Sequence, residues 1–115
     1  MVDILRLISK WHKDRLITVN GNSSTQTIKL GEEYGELCAA IVRQDKAEIR
    51  DSLGDMVVVM VAIAELEGMY LNDCIQDAYD EIKDRKGHLN ELGNFIKTSK
   101  KPWEEENKWS NYQMK

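Results

Sequence analysis

Cysteine, proline and phenylalanine are scarce in this chain: two, one and one among 115 residues. The two cysteines, Cys38 and Cys74, form no C-x-x-C pair and neighbour no histidine, so neither a disulfide framework nor a zinc site is spelled out. Both read as small core residues, and a reduced, cytoplasmic setting is the default. The single proline is Pro102, so nothing upstream interrupts long helices. The longest apolar run, Met56 to Ala64, falls well short of the roughly 18 residues a membrane helix needs. The opening MVDILRLISKWHKDR has no signal-peptide core. A formal net charge of −4 argues against nucleic acid as the main partner. There is no phosphate-cradling glycine loop and no G-x-S-x-G.

What the chain does have is charge (31%) and apolar residues (42%), a balance that suits one globular domain. The apolar residues follow a helical rhythm. A first helix is expected from about Asp3 to Ile17, with Ile4, Leu5, Leu7, Ile8, Trp11 and Leu16 as its stripe. TVNGNSST should break it, and Ser24 or Thr25 can cap a second helix running to about Arg43. Asp45 and Glu48 suit a capping box for a third helix, about Lys46 to Glu67. Its centre, MVVVMVAIA, is apolar all round, so the helix should be surrounded and ended by Gly68. A fourth helix, about Leu71 to Lys86, should close at Gly87. The fold class expected is therefore all-α: an antiparallel bundle of about four helices over residues 1–95. Residues 96–115 read as a C-terminal tail, extended or partly disordered, in which Trp103, Trp109 and Tyr112 could dock or be loosely packed.

The acids are unevenly placed. KLGEEYGELCAAI packs three glutamates and two glycines between Gly31 and Glu36, although like charges and interior glycines both weaken a helix. Lys29, Glu33, Glu36 and Ala40 share one helix face, with Glu32 about 100° away. On the third helix Asp51 and Asp55 are i, i+4 partners, Glu48 lies one turn earlier, and Asp55 abuts the apolar run. An acid there is costly unless a partner or metal compensates. Glu33 lies 12 residues before Asp45 and Asp55 lies 10 after it, so a helical hairpin sets them at similar heights. Converging carboxylates suit a hard divalent cation such as Mg²⁺, with Mn²⁺ as a substitute. The competing reading is a solvated acidic face. Gly31 and Gly35, which leave room beside the glutamates, weigh against it. A di-iron bundle is excluded because neither His12 nor His88 follows a glutamate by three residues; both histidines read as surface or helix-end residues.

KLGEEYGEL, then EIRDSLGDMVVVMVAIAE, then AYDEIKDRKG resemble the MazG-like nucleotide pyrophosphohydrolases, in particular short phage- or prophage-type members, over roughly Ile4 to Phe95. The resemblance implies an all-α fold assembled as a homodimer or homotetramer. It also implies Mg²⁺-dependent hydrolysis of nucleoside triphosphates, often noncanonical or deoxy forms, to monophosphate and pyrophosphate. The family's EExxE falls on Glu32, Glu33 and Glu36, with Glu33 and Glu36 as implied metal ligands. The aspartate of its ExxD falls on Asp55, but the glutamate falls on Ser52, a departure. Asp51 can substitute, although Glu48 and Asp51 also spell ExxD. Glu32 or Glu36 would activate water. Lys83, Arg85 and Lys86 would meet phosphates, as would Lys29; at a helix end such cations also complement the dipole. Asp80 or Glu81 stands where an asparagine would contact substrate. The rival is a non-catalytic helical module that binds nucleotide or protein.

Overall fold

The computed structural model describes residues 3–98; Trp103, Trp109 and Tyr112 lie outside them. Five helices and one small hairpin follow in order: α1 (Ile4–Asp14), α2 (Ile17–Asn20), α3 (Ser23–Arg43), α4 (Lys46–Leu66), α5 (Leu71–Ile82), β1 (Gly87–Leu89) and β2 (Phe95–Lys97). The described residues divide into two compact units, one up to Gln76 and one from Asp77.

The expected first helix is two. Leu16 takes a left-handed conformation (φ 63°), which stops α1 and starts the single turn of α2. Residues Thr18 to Asn20 are therefore helical, and the break falls later, at Gly21 and Asn22. Asn22, rather than Ser24 or Thr25, caps α3: its Oδ1 accepts from the Thr25 amide at 2.8 Å.

The α3–α4 hairpin is as expected. Gln44 turns the chain in the left-handed region (φ 56°), and Asp45 caps α4 by accepting from the Glu48 amide at 3.1 Å. The capping box is only half made, because the Asp45 amide donates to the Ala40 carbonyl at 3.0 Å. α3 and α4 pack along each other, and α1 and α2 also lie against α4. Ala40 on α3 and Ser52, Val59, Val61, Ala62 and Ala64 on α4 form the buried seam. Ala40 and Ser52, both small, are wholly enclosed. Gly68 ends α4 in the left-handed region (φ 76°), with the Met69 amide closing onto the Ala64 carbonyl at 2.8 Å.

Two further expectations are corrected. His12 is buried rather than superficial: its Nε2 lies 2.7 Å from the Val58 carbonyl oxygen, tying α1 to α4. Cys38 is exposed and Cys74 half-buried, so neither is a core residue.

In the second unit the helix stops at Ile82 instead of Lys86, and Gly87 opens a strand instead of closing a helix. β1 and β2 pair antiparallel, with Gly87 opposite Lys97 and Leu89 opposite Phe95. Asn90 shapes the loop, its Oδ1 accepting from the Leu92 and Asn94 amides at 3.0 and 2.9 Å.

Candidate active site

The register of the hairpin decides which acids meet. The i, i+4 spacing of Lys29 and Glu33 brings Nζ to 3.9 Å from Oε1, and Glu33 is largely enclosed, with 13% of its side chain exposed. Burial raises the proton affinity of Glu33. A hydrogen bond with Glu36, the Glu36 charge and the Asp55 charge add to the rise, and Lys29 opposes it. Asp55 is raised first by burial, then by the charges of Asp51 and Glu36 and a hydrogen bond with Asp51; Lys29 again opposes. Glu33, Glu36, Asp51 and Asp55 therefore share one electrostatic neighbourhood across the α3–α4 seam, with Lys29 at its side. The second oxygen of Glu33, Oε2, is enclosed and has no hydrogen-bond partner among the described residues. Glu32 is exposed.

Ser52, where the resembled motif carries an acid, is buried, and its Oγ is also without a partner. Asp51, one residue earlier, is the acid that stands against Asp55. Gly31 and Gly35 have nothing within 4 Å of where a Cβ would sit, so the space beside the glutamates is open.

Two grooves open on Asp55 from the α1 side. One, of about 470 Å³, is lined by Leu7, Ile8, Trp11, Asp55 and Val58. The other, of about 510 Å³, is lined by Ile8, Ala47, Arg50, Asp51, Gly54, Asp55 and Val58. The Arg15 guanidinium lies 4.2 Å from the Trp11 ring centre. Nothing in the periodicity of α1 singled out Trp11 as lining a groove with Asp55, and Arg50 on α4 is one charged residue in a charged stretch.

The three C-terminal cations are not on a helix. Lys83, Arg85 and Lys86 follow the end of α5, where Lys83 pairs with Asp80 at 3.6 Å and Arg85 with Glu81 at 3.4 Å. The Lys86 carbonyl accepts from the Thr98 amide at 2.8 Å.

The MazG nucleotide pyrophosphohydrolase domain model matches residues 22–90, the stretch that carries the acids on both helices. The chain belongs to the MazG family. A relative is the "uncharacterized 18.2 kDa protein in rep-hol intergenic region" of Haemophilus phage HP1 (strain HP1c1), 39% identical over 62 residues. That stretch is 54% of this chain and 38% of the phage protein, so the chain spans well under half of its relative's length. No solved structure matches.

MazG proteins depend in general on a divalent metal. Among the described residues no three acidic, cysteine or histidine side chains are gathered closely enough to grip one ion as they stand. The donors nevertheless fit such an ion in kind. They are carboxylate oxygens, one of them is enclosed and unpartnered, and burial and mutual repulsion hold two of the acids towards the protonated form. Closure on an ion would require Glu33, Glu36, Asp51 and Asp55 to move from these positions.

Proposed function

We propose that this MazG chain is an Mg²⁺-dependent nucleoside triphosphate pyrophosphohydrolase acting on noncanonical or deoxy nucleotides. The observation that carries the reading is an enclosed Glu33 oxygen with no hydrogen-bond partner among the described residues, in a carboxylate that feels Glu36 on its own helix and Asp55 on the other, with Asp51 beside Asp55. Glu33, Glu36, Asp51 and Asp55 would hold the ion, with Mn²⁺ able to replace it. When bound, the cation supplies charge neutralisation for the phosphate oxygens.

The chain's own residues do the rest. Glu36 faces the cluster and suits the role of proton acceptor for a water that forms a bond to the α-phosphorus. The bond from that phosphorus to the bridging oxygen breaks, and pyrophosphate leaves. Glu32, exposed, is the alternative acceptor, taking the proton from the solvent side. Lys29 already opposes the repulsion among the acids, and could move onto a phosphate. Lys83, Arg85 and Lys86 have the charge that suits phosphate, although Lys83 and Arg85 are paired with Asp80 and Glu81. The apolar groove of Leu7, Ile8, Trp11 and Val58 begins at Asp55 and suits a base or sugar.

Large apolar residues remain exposed on α1 (Ile4, Leu7, Trp11), α3 (Ile28, Ile41, Val42) and α5 (Ile75, Tyr79). Covering by further copies, as a homodimer or homotetramer, accounts for that exposure. No described helix is long and apolar enough to cross a membrane, and a cytoplasmic nucleotide pool is the setting this substrate implies.

The test is release of pyrophosphate from a panel of nucleoside triphosphates with and without Mg²⁺. Glu33→Gln and Asp55→Asn should each lower turnover at least about a hundredfold with helix content unchanged. Full turnover in both variants would refute the assignment. A non-catalytic nucleotide-binding module would instead gain thermal stability from Mg²⁺ and nucleotide and release no pyrophosphate.

A further inference from the structure

The groove lined by Arg50, Asp51 and Asp55 contains a cation that the acids do not use. The exposed side chain of Arg50 makes no hydrogen bond or ion pair among the described residues, although two carboxylates line the same groove. Ala47, Arg50, Asp51, Gly54 and Val58 follow the helical spacing that places them along one side of α4, and Ile8 of α1 forms the facing wall. Gly54 stands one turn beyond Arg50, with nothing within 4 Å of the position a Cβ would take. The groove floor between the guanidinium and Asp55 is therefore bare.

We propose that Arg50 is a phosphate-binding residue of this site, receiving the β- and γ-phosphates as they lie along α4 and the pyrophosphate formed from them. The proposal rests on the pyrophosphohydrolase reading and adds a residue to it. Three physical points support it. A guanidinium offers paired N–H donors matched to phosphate oxygens, and here they are not committed to a carboxylate. The other cation beside the acids, Lys29, is drawn towards Glu33, so Arg50 is the one in the first unit with its charge unspent at this groove. The local charge also explains when phosphate can bind. One guanidinium and two carboxylates line the groove, so the bare groove repels an anion, whereas a divalent cation on the acids reverses the sign. Pyrophosphate should therefore bind only with Mg²⁺ present.

Isothermal titration of the full chain with MgCl₂ alone, and then with pyrophosphate in excess Mg²⁺, tests this. Arg50→Ala should leave Mg²⁺ affinity close to wild type and weaken pyrophosphate binding about ten- to a hundredfold, the range of a lost charge-assisted contact. Arg50→Lys should fall between the two, because the charge stays and the fork is lost. Arg43→Ala removes the same charge from the last turn of α3 and should change little. Wild-type pyrophosphate affinity in Arg50→Ala, or an equal loss in Arg43→Ala, overturns the Arg50 assignment and leaves the enzyme reading standing. A wild-type chain that binds no Mg²⁺ overturns both.

Discussion

Burial, and then the neighbouring Glu36, raise the proton affinity of Glu33 on α3, and the Asp55 charge on α4 adds to the rise across the helix seam. Both groups sit above their ordinary values, so in the window between those values and the raised ones the folded chain holds protons that the unfolded chain has released. Without metal, the stability these protons contribute is present in acid and lost as pH rises through the raised values. Urea midpoints measured from about pH 4 to 8 should show this fall. Glu33→Gln should flatten it and leave the metal-free protein more stable than wild type at neutral pH. A midpoint that climbs over the same range in the metal-free wild type would contradict the coupling.

His12 joins α1 to α4 through the Val58 carbonyl at 2.7 Å. His12→Ala leaves a cavity and removes that bond, and should cost about 2–4 kcal/mol in chemical denaturation. A loss under about 0.5 kcal/mol, the scale of an ordinary surface change, would mean that α1 is held by its apolar contacts alone.

Gln44 stands in the left-handed region at the α3–α4 turn. Glycine adopts that conformation without the steric cost of a Cβ, so Gln44→Gly should stabilise the chain by about 1 kcal/mol. Differential scanning calorimetry reads this as a higher Tm, and a lower one would show that the Gln44 side chain contributes to the turn.

Trp11 borders the apolar groove at Asp55. Trp11→Ala should weaken a nonhydrolysable nucleotide about five- to a hundredfold, the range of a base stacked on an aromatic ring. Pyrophosphate affinity should be unchanged. Equal losses for both ligands would place the base elsewhere and give Trp11 a purely structural part.

The hairpin that carries the acids could be read from the sequence because its signals are local and agree: a cap at Asp45, an apolar run with helical flanks, and a left-handed glycine at Gly68. The acids themselves could be matched in height by counting residues from the turn. Other features depend on tertiary contact. Leu16 breaks the first helix with a residue that ordinarily prolongs one, so nothing in its type announces α2. His12 looks like any polar residue of an amphipathic helix until the Val58 carbonyl is set opposite it. The β1–β2 hairpin is exposed on both faces, so it lacks the alternation that marks a half-buried strand. Ser52 showed as a departure from a motif; that it is wholly enclosed is visible only in the packed structure.

The bend at Gln44 and Asp45 also works as the fulcrum of a pair of tongs. Asp55 lies ten residues from Asp45, a lever of about 15 Å at 1.5 Å per residue. A splay of only about 4° there swings the carboxylate by about 1 Å, a displacement that can cost a reaction about a hundredfold. Substitutions at the fulcrum, Gln44→Gly among them, can therefore retune the jaws without touching them.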